Sequence, residues 1–118
     1  MLSDFTGAKN IYLACGTTDL RKSIDGLALL VQKSFDLDPF SDSLFLFCGK
    51  RSDRIKALYW EGDGFVLLYK RLERGNFQWP RTKEQVRQVG IQQFRWLMEG
   101  LSMEQPKALK RCGSLALG

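Results

Sequence analysis

The chain has 118 residues with a formal net charge of +5, and 44% of its residues are hydrophobic and 12% aromatic. That length suits a single domain able to bury its own core, and the composition excludes an intrinsically disordered chain. The absence of histidine and the wide spacing of Cys15, Cys48 and Cys112 exclude the usual zinc sites and every His-dependent catalytic arrangement.

The first residues lack a continuous apolar segment of signal-peptide type, and no stretch reaches the length of a membrane span. A cytoplasmic protein with reduced thiols is therefore expected. The basic balance favours an anionic partner, most simply nucleic acid, although solvated domains are often equally basic.

Ile11 to Ala14 read as a short strand bounded by Gly16. Thr17 or Thr18 is placed to cap a helix, with Asp19 in its first turn where the helix dipole favours a carboxylate. Leu20, Ile24, Leu27, Ala28, Val31 and Phe35 then fall on one helical face, and Asp38-Pro39 ends the helix. Leu44 to Cys48 is an unbroken apolar run, consistent with a strand covered on both faces. After a basic turn, Arg54 to Trp60 and Phe65 to Leu72 form a hairpin around Glu61-Gly62-Asp63-Gly64. Thr82 and Gln85 have capping-box spacing, while Val86 to Ile91 reads equally well as a short strand. Ile91, Phe94, Leu97, Met98 and Leu101 make a second amphipathic helix. The expected class is α+β: a mainly antiparallel sheet of about four strands with two principal helices packed on one side. This single domain spans residues 1–105, and residues 106–118 read as a basic, flexible C-terminal tail.

The hairpin carries most of the functional information. With a turn of two or four residues, Ile55, Ala57, Tyr59, Val66, Leu68 and Leu72 share an apolar face that also bears Lys70. The opposite face carries Arg54, Lys56, Leu58, Trp60, Phe65, Leu67, Tyr69 and Arg71. Cations and rings together suit a nucleic-acid surface, the cations meeting phosphates and the rings stacking on bases. Equally, a helix can cover Trp60, Phe65 and Leu67 while the cations extend to solvent. Lys50 and Arg51 precede the hairpin, Arg74 follows it, and Arg81, Lys83 and Arg87 lie beyond.

Chemistry finds little footing. Cys48-Gly49-Lys50-Arg51 lacks the leading glycine and the Ser/Thr of a phosphate-binding loop. The carboxylates are scattered (Asp19, Asp25, Asp36, Asp38, Asp42, Glu61, Asp63) rather than gathered for two-metal cleavage.

The run from Ile11 to Ala28, through Cys15-Gly16-Thr17-Thr18-Asp19-Leu20-Arg21-Lys22, resembles the opening motif of the accessory protein TnpB of the insertion sequence sixty-six family, the product of its second reading frame. Asp38-Pro39-Phe40 with Leu44 to Phe47 matches the next block. Arg54 to Trp60 and Tyr69 to Gly75, continuing to Phe77, Trp79 and Pro80, match the third, and Leu97 to Leu101 resembles the closing helix. The likeness covers about residues 10–101. It implies a bacterial protein encoded beside a separate transposase that supports transposition and brings no catalytic residues; no cofactor or metal is expected either.

The expected function is thus a non-catalytic accessory role in transposition of an insertion sequence, with DNA bound through the hairpin. The alternative is a protein–protein adaptor for the transposase that never touches DNA. The candidate nucleic-acid contacts are Arg21, Lys22, Lys50, Arg51, Arg54, Lys56, Trp60, Tyr69, Lys70, Arg71, Arg74 and Trp79. Neither a membrane nor a small-molecule substrate is expected as a partner, and a homo-oligomer is left open.

Overall fold

The computed structural model describes residues 7–104. Its elements are β1 (Asn10–Ala14), α1 (Ile24–Lys33), β2 (Ser43–Cys48), β3 (Arg54–Trp60), β4 (Phe65–Arg71), β5 (Val86–Val89) and α2 (Ile91–Met98). The strands form one sheet in the order β4-β3-β2-β1-β5. The neighbours β1 and β2 run parallel, and the other pairs are antiparallel.

Central β2 is buried at all six positions. Phe45 and Phe47 pack with Leu58 beneath Leu27 and Val31 of α1. Leu44, Leu46 and Cys48 join Leu13 and Ile55 on the other face, with Phe94 and Leu97 of α2 and with Phe77 and Trp79. The two helices therefore lie on opposite faces of a five-stranded mixed sheet, which corrects the expectation of about four strands with both helices on one side. The physical reason lies in β2 itself. Successive side chains of a strand point to opposite faces, so an unbroken apolar run requires cover on both.

The parallel pair arises because the chain leaves β1, crosses through α1 and re-enters beside it, a connection too long for a hairpin. The fifth strand is Val86–Val89, which pairs with the remaining edge of β1 through Ile11↔Val89 and Ala14↔Val86. This resolves the segment that could be read in two ways. The capping box anticipated at Thr82 and Gln85 is not formed; the Gln85 carbonyl accepts from the Cys15 N–H at 3.0 Å instead. At the start of α2 the Gln93 side chain accepts from the Gly90 N–H at 3.1 Å.

Helix α1 is shorter than its apolar face suggests. The Thr18 N–H donates to the Cys48 carbonyl at 2.9 Å, tying this loop to the end of β2, so neither Thr17 nor Thr18 caps the helix. Ser23 stands at that position. The helix ends at Lys33, and Asp36 at φ 54° turns the chain away before Asp38-Pro39 is reached. Leu20 and Phe35 still pack on the same apolar cluster from outside the helix.

The hairpin forms as its patterning predicts. Its register runs from Arg54↔Arg71 to Trp60↔Phe65, and the Glu61 N–H donates to the Gly64 carbonyl at 2.9 Å across the turn. Gly62 sits at φ 95°, a backbone conformation that favours glycine. The tail expected at 106–118 falls outside the described residues. Among the described residues no helix is long and apolar enough to cross a membrane.

Candidate nucleic-acid interface

The mixed face of the hairpin divides into two ends. Leu58, Phe65 and Leu67 lie in the apolar cluster under α1. Trp60 is half-buried and meets Phe65 and Phe40 edge-on, with ring centroids 4.9 and 5.0 Å apart. The six steps of strand from Trp60 back to Arg54 cover about 20 Å, so this ring stands well away from the cationic end.

At that cationic end the sheet is open. The carboxyl ends of β1 and β2, the start of β3 and the end of β4 converge there, because β1 and β2 are parallel and the hairpin is antiparallel to β2. They enclose a concavity of about 750 Å³ lined by Thr17 to Arg21, Gly49 to Arg51, Arg54, Lys56, Leu67 and Tyr69. Five of these residues are cations (Arg21, Lys50, Arg51, Arg54, Lys56), against the single carboxylate of Asp19. Leu20 closes over Gly49, where a β-carbon would lie only 3.2 Å from the leucine methyl. A larger residue at 49 would push Leu20 off the floor of the groove.

The cations are not equivalent. Arg21 grips Asp19 with two nitrogens at 2.9–3.2 Å and also donates its backbone N–H. Those bonds hold the exposed Asp19 carboxyl down at about 2 and offset the arginine's charge. Arg54 is paired with Asp53 at 3.0 Å, and Arg71 with Glu73 at 2.9 Å. Lys56 donates to the Lys22 carbonyl at 3.0 Å, which fixes its position and leaves its charge uncompensated. Lys50 and Arg51 make no ion pair among the described residues. Lys50, Arg51 and Lys56 are therefore the groove cations with most charge to offer an anion.

Arg81 braces the walls. Its guanidinium donates to Thr17 Oγ1 at 3.0 Å, to the Gly49 carbonyl at 2.6 Å and to Ser52 Oγ at 3.2 Å. One planar fork thus joins the loop after β1 to the turn after β2. In the sequence Arg81 stands only as one of the basic residues around the hairpin, with no place in the site. No local pattern marks it, since its partners lie 64, 32 and 29 positions away.

Of the other candidates, Lys22 is exposed beside the groove and Arg71 is exposed on the same face of β4 as Tyr69. Arg74 is exposed in the bend after β4. Lys70 faces the other side of the sheet, opposite Ile55. Trp79 is 7% exposed in the α2-side core, and its indole N–H donates to the Ala14 carbonyl at 2.8 Å. The groove thus gathers Arg21, Lys50, Arg51, Arg54, Lys56 and Tyr69, with Lys22 and Arg71 adjoining, but neither tryptophan.

Two thiols also belong to this end of the sheet. Burial raises Cys15 above its ordinary 9.0, and it pushes Cys48 up to about 11 against the opposing pull of Arg81. In a Cys112→Ser variant, neither thiol should react with a disulfide reagent at pH 8 until denaturant is added. A folded-state value raised above the unfolded one stabilises the neutral thiol in full below about pH 9. That contribution is lost as pH rises toward 11, so stability should decline across this window; prompt labelling of the native protein would contradict the burial.

Fold and groove together define a basic α+β domain that gathers cations at one end of its sheet. Among the described residues no cluster of His, Cys, Asp or Glu is placed to hold a metal ion. The family model described as IS66 Orf2 like protein matches residues 9–108. Two uncharacterized proteins of Sinorhizobium fredii, y4jC and y4hO, are 34% and 33% identical over 97 residues, which covers 82% of this chain and 83% and 84% of theirs. The chain belongs to the IS66 Orf2-like family, and that membership implies a role in insertion-sequence transposition. No solved structure matches it.

Proposed function

We propose that the chain is a non-catalytic accessory protein of its insertion sequence and binds DNA through the cationic groove. The observation that carries this reading is the convergence of five cations and one carboxylate on a single concavity. Asp19 and Asp53 relieve Arg21 and Arg54, and the repulsion left among Lys50, Arg51 and Lys56 favours an incoming anion. Phosphates are the anions DNA supplies, and their neutralisation releases counterions.

The test is binding to a forked DNA, a duplex with unpaired tails, followed by fluorescence anisotropy across a salt series. Affinity should fall steeply with salt, with a log–log slope of about −0.7 to −0.9 per phosphate neutralised. Combining Lys50→Ala, Arg51→Ala and Lys56→Ala should make that slope shallower by about 2–3 if each cation meets one phosphate. An unchanged slope, or no binding even at low salt, would remove the groove from consideration. Metal-dependent cleavage of the same DNA by pure protein would overturn the non-catalytic part.

A second reading, an adaptor for the separately encoded transposase, is favoured by the rings at the far end of the hairpin. Phe40 is 55% exposed and packs on Trp60 and Phe65. Aromatic clusters of this kind anchor protein partners. Co-purification with the transposase that survives nuclease and high salt, and is lost in Phe40→Ser, would support it; no co-purification would count against it.

A further inference from the structure

We propose that the groove is shaped for unpaired nucleotides, so that the chain binds single-stranded DNA in preference to duplex. This rests on the DNA-binding reading above and adds the form of DNA that the site accepts.

The groove has two kinds of surface. Its apolar part is made by Leu20 and Leu67 with the ring of Tyr69, and its cationic part by Lys50, Arg51 and Lys56. A duplex presents phosphates outward and keeps its base faces stacked inside. It could neutralise the cations, but it would offer nothing flat and apolar to the remaining surface. A single strand offers both at once, a charged backbone and bases free to stack. The scale agrees. A concavity of about 750 Å³, open to solvent along one side, has room for one or two nucleotides lying along it.

Tyr69 is the ring placed to stack. It is 54% exposed on edge strand β4, directly across from Lys56 and two residues from Arg71 on the same face. Phe40, Trp60 and Phe65 are occupied with one another, and Phe77 and Trp79 are buried. Among the described residues Tyr69 has no ring partner. An exposed ring flanked by cations is the arrangement that holds successive bases without sequence preference.

The experiment compares a labelled oligothymidylate of about 12 nucleotides with a duplex of equal length in the same buffer. The single strand should bind about tenfold tighter or more. Tyr69→Ala should cost about tenfold in single-strand affinity and little in duplex affinity, whereas Tyr69→Phe should keep the preference. Circular dichroism melting of the Ala variant, expected to match the parent because the ring is exposed, separates loss of stacking from loss of fold. Equal or tighter duplex binding, or an unchanged preference in Tyr69→Ala, would overturn the proposal while leaving DNA binding intact. Tighter binding of the matching oligouridylate would overturn the assignment to DNA. Failure of both DNAs to bind would remove the underlying reading as well.

Discussion

Replacing Trp79 with Ala is expected to lower the free energy of unfolding by about 3–5 kcal/mol, the range for deleting a buried aromatic side chain. The indole is 7% exposed within the α2-side core and satisfies the Ala14 carbonyl at the end of β1. Leaving that carbonyl unpaired adds about 1–3 kcal/mol unless water reaches it. For a domain of this size each kcal/mol moves the melting temperature by about 4–8 °C, so the loss is large on a thermal scan. Trp79→Phe keeps most of the volume but drops the N–H, and should cost less, about 1–3 kcal/mol. Its DNA affinity should equal that of the parent. A Trp79→Ala protein that melts normally but binds DNA weakly would reverse this assignment and make the ring a contact.

The second large effect tests the two-faced core. Phe47, fully buried and stacked on Phe35 at 6.5 Å, lies on the α1 side of the sheet. Phe94, also fully buried, lies on the α2 side. Truncating either to Ala should cost about 3–5 kcal/mol, because each leaves a cavity that neighbouring strands cannot close. Chemical denaturation of the two variants would show the costs. If either were near zero, that face would be solvated rather than core, and β2 would not be covered twice. By contrast, Lys50→Ala and Arg51→Ala, at exposed turn positions, should change stability by no more than about 0.5 kcal/mol. Comparing the groups separates residues that hold the sheet from those proposed to meet DNA.

Much of the sheet was legible in the amino-acid pattern. The hairpin register followed from turn length and alternation, and the structure pairs Arg54 with Arg71 and Lys56 with Tyr69 on the anticipated face. Helix α1 was legible as an apolar face but not in its start, since Leu20 keeps the helical spacing while sitting in a loop. Burial selects apolar residues in either conformation, so periodicity alone overextended the helix. The hydrogen bond from Thr18 to Cys48, which fixes that loop, joins residues 30 positions apart.

The same division runs through the candidate site. Lys50, Arg51, Arg54, Lys56 and Tyr69 were named from the hairpin and its preceding turn, and the structure sets them around one groove. Trp60 joins them as a ring on the same hairpin face and Trp79 as a position matched in the family resemblance, and neither ground tells a ring that faces solvent from one that faces the core. Trp79 lies in the core, where its apolar ring leaves water and its indole N–H keeps a partner in the Ala14 carbonyl.

By itself the amino-acid sequence determined what depends on neighbours along the chain: the strands of the hairpin, the doubly covered β2, the two amphipathic helices and the family likeness. Tertiary structure alone decided which face each helix takes and where the cations meet. The groove is assembled from the loop after β1, the turn after β2 and the open end of the hairpin, braced by Arg81. Those segments come together only once β1 and β2 pair in parallel. A contact between distant segments is chosen by the packing of the whole sheet, and no local spacing encodes it.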